Sequence, residues 1–259
     1  LEGDDLTPSL FYYGVMMMSN NRRVVILWSG GIDSTTLVWW AKKKGMDVRT
    51  LTIYYGQKHT KETSFVAKLT EKFRIDNKTV DLGAIQPLID YGALTGTANV
   101  PQGTYDEKTQ RVTIVPNRNM ILLAIAAGYA ITLGSSVILY AAHRNDRSIY
   151  PDCRPVFVNA MNAAIEAGNV WSPVEIWAPF IDYSKTEIVT LGLKLDVPYE
   201  DTWSCYEGGR KPCGKCGTCL ERTEAFMNNV ANDPALNPKD WIKFMGYYKD
   251  ARISDGNKT

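Results

Sequence analysis

Val24-Val25-Ile26-Leu27-Trp28-Ser29-Gly30-Gly31-Ile32-Asp33-Ser34-Thr35 is the stretch that decides how this chain folds. Its first five residues are β-prone and carry no polar face, as expected of a strand covered on both sides in a parallel sheet. Two consecutive glycines then allow positive φ and a tight turn. The residues after the turn, 35–44, read as a helix closed by Gly45.

The same alternation continues downstream. Strands are predicted at 48–54 and 79–82, with a helix over 60–73 between them. A helix at 119–131, a strand at 136–141, a helix at 155–167 closed by Gly168 and a short strand at 174–177 follow. Ser184 with Glu187 three residues on fits a capping box opening another helix. This pattern predicts an α/β fold: an open, mostly parallel, Rossmann-like sheet with helices on both faces. The stretch 92–111, rich in Gly, Thr, Pro and Asn, reads as a long loop or lid, a length that is uncommon unless functional. Beyond it, 220–230 reads as a helix, and Trp241, Phe244, Tyr247 and Tyr248 dock a last one on the body. The expected organisation is an N-terminal extension over 1–22, an α/β domain over 23–200, and a metal-binding segment with C-terminal helices over 201–259, packed on that domain.

Composition sets outer limits. The 259 residues include 45% hydrophobic ones, and 29 Lys+Arg stand against 28 Asp+Glu. A chain of this length buries roughly 70–75% of its unfolded surface, so it needs no disulfide staples. The balanced charge argues against a protein that coats nucleic acid. The longest greasy run, 120–133, is too short to span a bilayer, and 11–18 lacks the flanks of a signal peptide. The economical expectation is a cytoplasmic protein.

The Ser29–Ser34 turn is suited to an anion. Its amides converge, the following helix adds its dipole, and the Ser29 and Ser34 hydroxyls donate to phosphate oxygens. Asp33 is poorly placed against phosphate and better used to hold Mg²⁺. The string is neither a Walker A loop nor G-x-G-x-x-G.

Cys205, Cys213, Cys216 and Cys219, spaced x7, x2 and x2 among glycines, can close a tetrahedral Zn²⁺ site with no open position, and hence a structural one. A redox dithiol at Cys213 and Cys216, or an iron–sulfur cluster, fits the same spacing less well. Cys153, between Pro151 and Pro155, reads as a pocket wall or a packing site.

Ser29-Gly30-Gly31-Ile32-Asp33-Ser34 resembles the pyrophosphate loop of the N-type ATP pyrophosphatases. With YYGQKH from Tyr54, VPNRN from Val115, YPDCRP from Tyr150, KTEIV from Lys185 and the segment 202–222, the chain over about 24–226 resembles the 7-cyano-7-deazaguanine synthase family. Its wording departs from that family's at Tyr54 and at His143-Arg144-Asn145-Asp146. The resemblance implies an adenine nucleotide alpha hydrolase-like fold, a homodimer and an ATP-dependent ligase. In the implied reaction, 7-carboxy-7-deazaguanine is adenylated, ammonia gives the amide, and a second ATP activates the amide for elimination to the nitrile, preQ0, of queuosine and archaeosine biosynthesis.

Under that resemblance Ser29, Gly30, Gly31, Asp33 and Ser34 hold the diphosphate and its Mg²⁺, and Thr35 adds a hydroxyl. Tyr54, Tyr55, Gly56 and Gln57 either read the adenine edge or form a plain strand end. Arg118 and Lys185 neutralise phosphate, although a first-turn lysine is ordinarily solvated. Asp152 and Arg154 either grip the guanidine-like edge and carboxylate of the deazapurine or brace the two prolines, and His143 faces the same crevice. His59 is either a proton shuttle or a polar helix start. The expected partners are small molecules alone, with no nucleic acid and no membrane. Two other functions remain open on the sequence: a tRNA-thiolating ATP pyrophosphatase, and a non-catalytic zinc-containing interaction module.

Overall fold

In the computed structural model, which describes residues 21–58, 61–104 and 110–256, β1 (Arg23–Leu27) lies at the centre of a five-stranded sheet. β2 (Asp47–Tyr54) and β3 (Asp76–Asp81) extend it on one side. β4 (Val137–Leu139) and β5 (Glu175–Trp177) extend it on the other. The order is β3-β2-β1-β4-β5, and every neighbouring pair is parallel. Chain order therefore reverses at β1, and the crevice beyond the C-terminal ends of β1 and β4 is where such sheets bind ligands.

Burial explains the apolar character of β1. Val24 and Ile26 enter a core on one face with Leu37 and Val38 of α1 (Ile32–Lys43) and Ile188 and Val189 of α5 (Lys185–Lys194). Val25 faces the opposite core, with Leu123 and Ala126 of α3 (Arg118–Thr132) and Val158 and Met161 of α4 (Pro155–Gly168). Phe226 of α6 (Gly217–Asn228) and Trp241 of α7 (Pro238–Gly256) join the first core, so the C-terminal helices share it with β1. α2 (Lys61–Phe73) contributes Val66 and Leu69 to that core.

The element boundaries differ from expectation where packing or pairing overrides local pattern. β3 begins at Asp76 although its sequence is polar. As an edge strand it is held by its ladder to β2 and by Asn77, whose Oδ1 accepts from the Thr50 and Thr52 hydroxyls at 2.9 and 3.1 Å. α1 begins at Ile32 rather than at Thr35, which places Asp33 and Ser34 in its first turn. β4 ends at Leu139, which leaves 140–143 free to line the crevice. α6 begins at Gly217, so Cys219 is helical. The helical stretch 111–132 is long and apolar enough to pass for a membrane span, yet Leu123, Ala126, Ala127 and Ala130 pack it on the sheet. Residues 1–20 of the expected N-terminal extension over 1–22, and His59, lie outside the described residues.

Of the expected loop at 92–111, the described part is tied down. Lys58 N–H donates to the Leu94 carbonyl at 3.0 Å and Lys58 Nζ to that of Ala98 at 2.8 Å. Gln102 bridges Cys216, and Gly103 N–H donates to the Lys215 carbonyl at 2.9 Å.

Candidate active site

The turn after β1 has the geometry of a cradle. Gly30 stands at φ +89, and a Cβ there would lie 2.7 Å from the Glu62 carbonyl oxygen and 3.0 Å from a Val66 methyl. Both the backbone conformation and the close approach of α2 therefore demand glycine. Gly30→Ala is expected to destabilise the fold by about 1–3 kcal/mol, checked by urea unfolding. The Ser29 and Ser34 hydroxyls lie 3.0 Å apart, Ser34 Oγ accepts from Ser29 N–H at 3.2 Å, and Ser29 Oγ accepts from Gly31 N–H at 3.3 Å. Gly31 caps α1 without a side-chain bond, so the first-turn amides face the crevice.

Asp33 is the electrostatic centre. Its Oδ2 accepts from Lys185 Nζ at 2.5 Å and lies 3.7 Å from His143 Nε2, while Oδ1 is buried with no hydrogen-bond partner. Burial alone would raise its pKa, but Lys185 and His143 together hold it well below the usual carboxylate range. Lys185 is brought there by the capping box at the head of α5: Ser184 Oγ accepts from Glu187 N–H, and the Glu187 carboxylate accepts from Ser184 N–H at 2.7 Å. Its side chain is only 12% exposed, which excludes the solvated reading, and Nζ lies 3.5 Å from Glu221 Oε2. Burial opposes its charge, but Asp33 and Glu221 raise its pKa. His143 is 1% exposed, with Nε2 3.2 Å from Asp146 Oδ2. Its desolvation is outweighed by Asp146 and Asp33, so its pKa is raised.

The crevice runs from this centre to an aromatic and polar far wall. Ser29, Gly31, Asp33, Ser34, His143 and Lys185 line it, as do Tyr55, Gln57 and Arg118. Gln57 Oε1 accepts from Tyr55 N–H at 2.9 Å, which shapes the end of β2. The Arg118 guanidinium, at the head of α3, sits 5.9 Å from the Tyr55 ring centroid. Cys153 is buried in the wall, 3.5 Å from the Tyr140 hydroxyl, and desolvation pushes its thiol well up.

Five sequence-derived candidates stand elsewhere. The Thr35 hydroxyl is fully buried and accepts from the Trp28 indole N–H at 3.0 Å, so it turns into the core and away from the crevice. The Tyr54 carbonyl accepts from Leu82 N–H, and its side chain is off the crevice wall. Gly56, at φ +87, packs beneath Gln86, where a Cβ would meet that side chain at 2.3 Å; it shapes the turn. Arg154 is exposed at the start of α4, and its Nε donates to the Arg147 carbonyl at 2.8 Å. Asp152 is half-buried off the wall, and no ion pair joins it to Arg154 among the described residues.

In their place the fold supplies Glu62, Asp146, Trp203, Ser204, Tyr206 and Glu221 to the crevice. Glu62 follows His59 by three residues on α2, and no local pattern marks it. Desolvation pushes its pKa up to about 7, with Arg118 opposing. A carboxyl whose folded pKa exceeds its unfolded one binds more protons in the native state, so stability falls as pH rises between about 4.5 and 7. Glu62→Gln is expected to flatten that part of the stability–pH curve and to raise Tm at pH 8, as measured by thermal melts across pH.

The Sγ atoms of Cys205, Cys213, Cys216 and Cys219 all lie within 4.8 Å of one another, and all four cysteines are free of disulfides. Tetrahedral Zn–S bonds of about 2.3 Å require sulfurs roughly 3.8 Å apart. The 4.0 Å between Cys213 and Cys219 fits that spacing, and Cys213 Sγ accepts from Cys216 N–H at 3.3 Å. Four thiolates fill the coordination shell, and none of the cysteines lines the crevice, so the group is a zinc-binding structural site. It is joined to the cradle through Trp203, whose N–H donates to the Gly30 carbonyl at 3.1 Å and whose ring stacks on Phe65.

A family model described as "Queuosine biosynthesis protein QueC" matches residues 23–230, which span the sheet, the cradle and the four cysteines. The chain belongs to the QueC family. It is 53% identical to the 7-cyano-7-deazaguanine synthase of Archaeoglobus fulgidus, over 83% of this chain and 90% of that protein. Synthases of the same name from Alteromonas mediterranea and a Marinomonas species are each 47% identical, over 75% of this chain and 88% of theirs. QueC membership makes this an ATP-dependent ligase with a zinc-binding segment.

Proposed function

We propose that this chain converts 7-carboxy-7-deazaguanine and ammonia to 7-cyano-7-deazaguanine at the expense of ATP, for queuosine or archaeosine biosynthesis, through an adenylate and an amide. The observation that carries this reading is the glycine cradle with Lys185 and Asp33 across it, at the open end of a single crevice in a QueC-family chain.

Ser29, Gly30, Gly31 and Ser34 bind the diphosphate end of ATP through main-chain amides and hydroxyls. The substrate carboxylate oxygen attacks the α-phosphorus and diphosphate leaves. Ammonia then adds to the acyl carbon and AMP departs. In the second round the amide oxygen is adenylated, and loss of AMP and the N–H protons leaves the nitrile. Lys185 and Arg118 offset the charge that builds on phosphorus in both rounds. His143, placed between Asp33 and Asp146, orients the Asp33 carboxylate. Tyr55 and Gln57 offer a flat, polar edge for the purine rings.

The buried, unpartnered Asp33 Oδ1 on the crevice wall is a hard oxygen donor of the kind that suits Mg²⁺. When bound, the ion neutralises phosphate oxygens and improves diphosphate as a leaving group. Asp33 would hold it. A thiolating role is disfavoured: the one cysteine on the crevice wall is buried with its thiol pushed up, and the other four surround one another. An apolar groove between α3 and α4, with Met120 and Phe157 on it, supports a homodimer, which light scattering tests.

The deciding experiment supplies the purified chain with Mg-ATP, ammonium and 7-carboxy-7-deazaguanine. Mass spectrometry is expected to show the amide, then the nitrile, with AMP and diphosphate released in both rounds. AMP release without either product would overturn the reading.

A further inference from the structure

A second, polar cavity abuts the active-site crevice and shares one side chain with it. Its wall includes Glu221, Glu224, Asn145, Ser148, Tyr248 and Arg252. Among the described residues Glu221 alone lines both spaces. The 3₁₀ turn Arg144–Ser148 divides them in the same way: Asp146 faces the crevice, while Asn145 and Ser148 face the second cavity. Glu221 is 6% exposed, its Oε2 lies 3.5 Å from Lys185 Nζ, and its Oε1 has no hydrogen-bond partner. An unpaired buried carboxylate oxygen is costly unless a donor satisfies it. Glu224, one helical turn along α6, accepts from the Tyr248 hydroxyl at 2.5 Å and brings a second negative charge to the same cavity. Arg252 is exposed at its rim, and Lys185, on the far side of Glu221, is committed to Asp33.

We infer that this second cavity is the entry and binding site of ammonium, and that the Glu221 carboxylate takes one proton from it and releases neutral ammonia into the crevice, where it adds to the acyl carbon. The inference rests on the reaction proposed above. Ammonium is small, carries one positive charge and has only N–H donors. It therefore matches a site built from two carboxylates, an amide and a hydroxyl. A separate entrance also has a chemical reason. With ATP and the deazapurine filling the crevice, the nitrogen nucleophile needs a path that does not pass through them, and a path that does not admit bulk water to the adenylate.

The two halves of the reaction provide the test, because only the first consumes ammonia. Glu224→Gln removes charge without changing shape, and Ser148→Phe fills the cavity. Initial rates are measured with 7-carboxy-7-deazaguanine and varied ammonium chloride, and separately with the amide and ATP alone. Each variant is expected to raise the KM for ammonium about tenfold or more, the effect of losing a charge-assisted contact. Both residues lie outside the crevice, so conversion of amide to nitrile is expected to stay within about twofold of the parent. An unchanged KM for ammonium in both variants would overturn the inference, as would an equal loss in both halves. A parent chain that turns over neither the acid nor the amide would instead refute the proposed reaction itself.

Discussion

Asp33→Asn is expected to lower kcat for nitrile formation by roughly 10²–10³-fold while leaving one zinc per chain in place. The asparagine keeps the shape and loses the charge. Lys185 then faces Glu221 alone, and His143 loses one of the two carboxylates that favour its protonated form. The unpartnered Oδ1, the atom offered to Mg²⁺, becomes a weaker neutral donor or an amide nitrogen. Removing a buried partner also leaves the Lys185 charge less compensated, so some loss of stability accompanies the loss of rate. Steady-state AMP release, read beside elemental analysis, separates these effects. Turnover within tenfold of the parent, or zinc lost in parallel with turnover, would contradict the division between a catalytic cradle and a structural metal site.

The second large effect concerns zinc. Replacing Cys216 with Ser, or stripping the metal with a chelator, is expected to lower Tm by roughly 10 °C or more and to abolish binding of a non-hydrolysable ATP analogue. None of the four cysteines touches the crevice, so a direct role in binding ATP is excluded by position. The connection is mechanical. Trp203 donates to the Gly30 carbonyl and shares the crevice wall with Ser204 and Tyr206, and all three precede the second cysteine. The buried Arg222–Asp233 pair, at 2.6 Å, anchors the other end: Arg222 also donates to the Thr202 hydroxyl at 2.9 Å and to the Tyr199 carbonyl at 3.0 Å. Without metal, the stretch between these anchors has little apolar burial to order it, and the Gly30 turn loses its brace. Calorimetry of the analogue with the zinc-loaded and zinc-free chain measures this coupling. Full ATP-analogue affinity in the zinc-free chain would show that the two sites are independent.

What the amino-acid order determined by itself is local. The apolar run ending in Ser29-Gly30-Gly31, the Ser184–Glu187 box and the spacing of the four cysteines each specify a turn, a cap or a chelate from residues a few positions apart. Backbone sterics and short-range hydrogen bonds act at that distance whatever surrounds them. Composition then required both faces of β1 to be covered, and so an α/β sheet. Which side chains meet was decided elsewhere. No local pattern marks Glu62, Asp146 and Glu221, and they meet at the crevice only because α2, the turn after β4 and α6 all pack around the C-terminal end of β1. Thr35 looked equivalent to Ser34, yet a 100° step around α1 turns it into the core against Trp28. Arg154 looked like a carboxylate grip, yet the Pro151–Cys153 turn directs it outward to the Arg147 carbonyl. Helical phase and the docking of distant elements set those directions, and neither is written in any short run of residues.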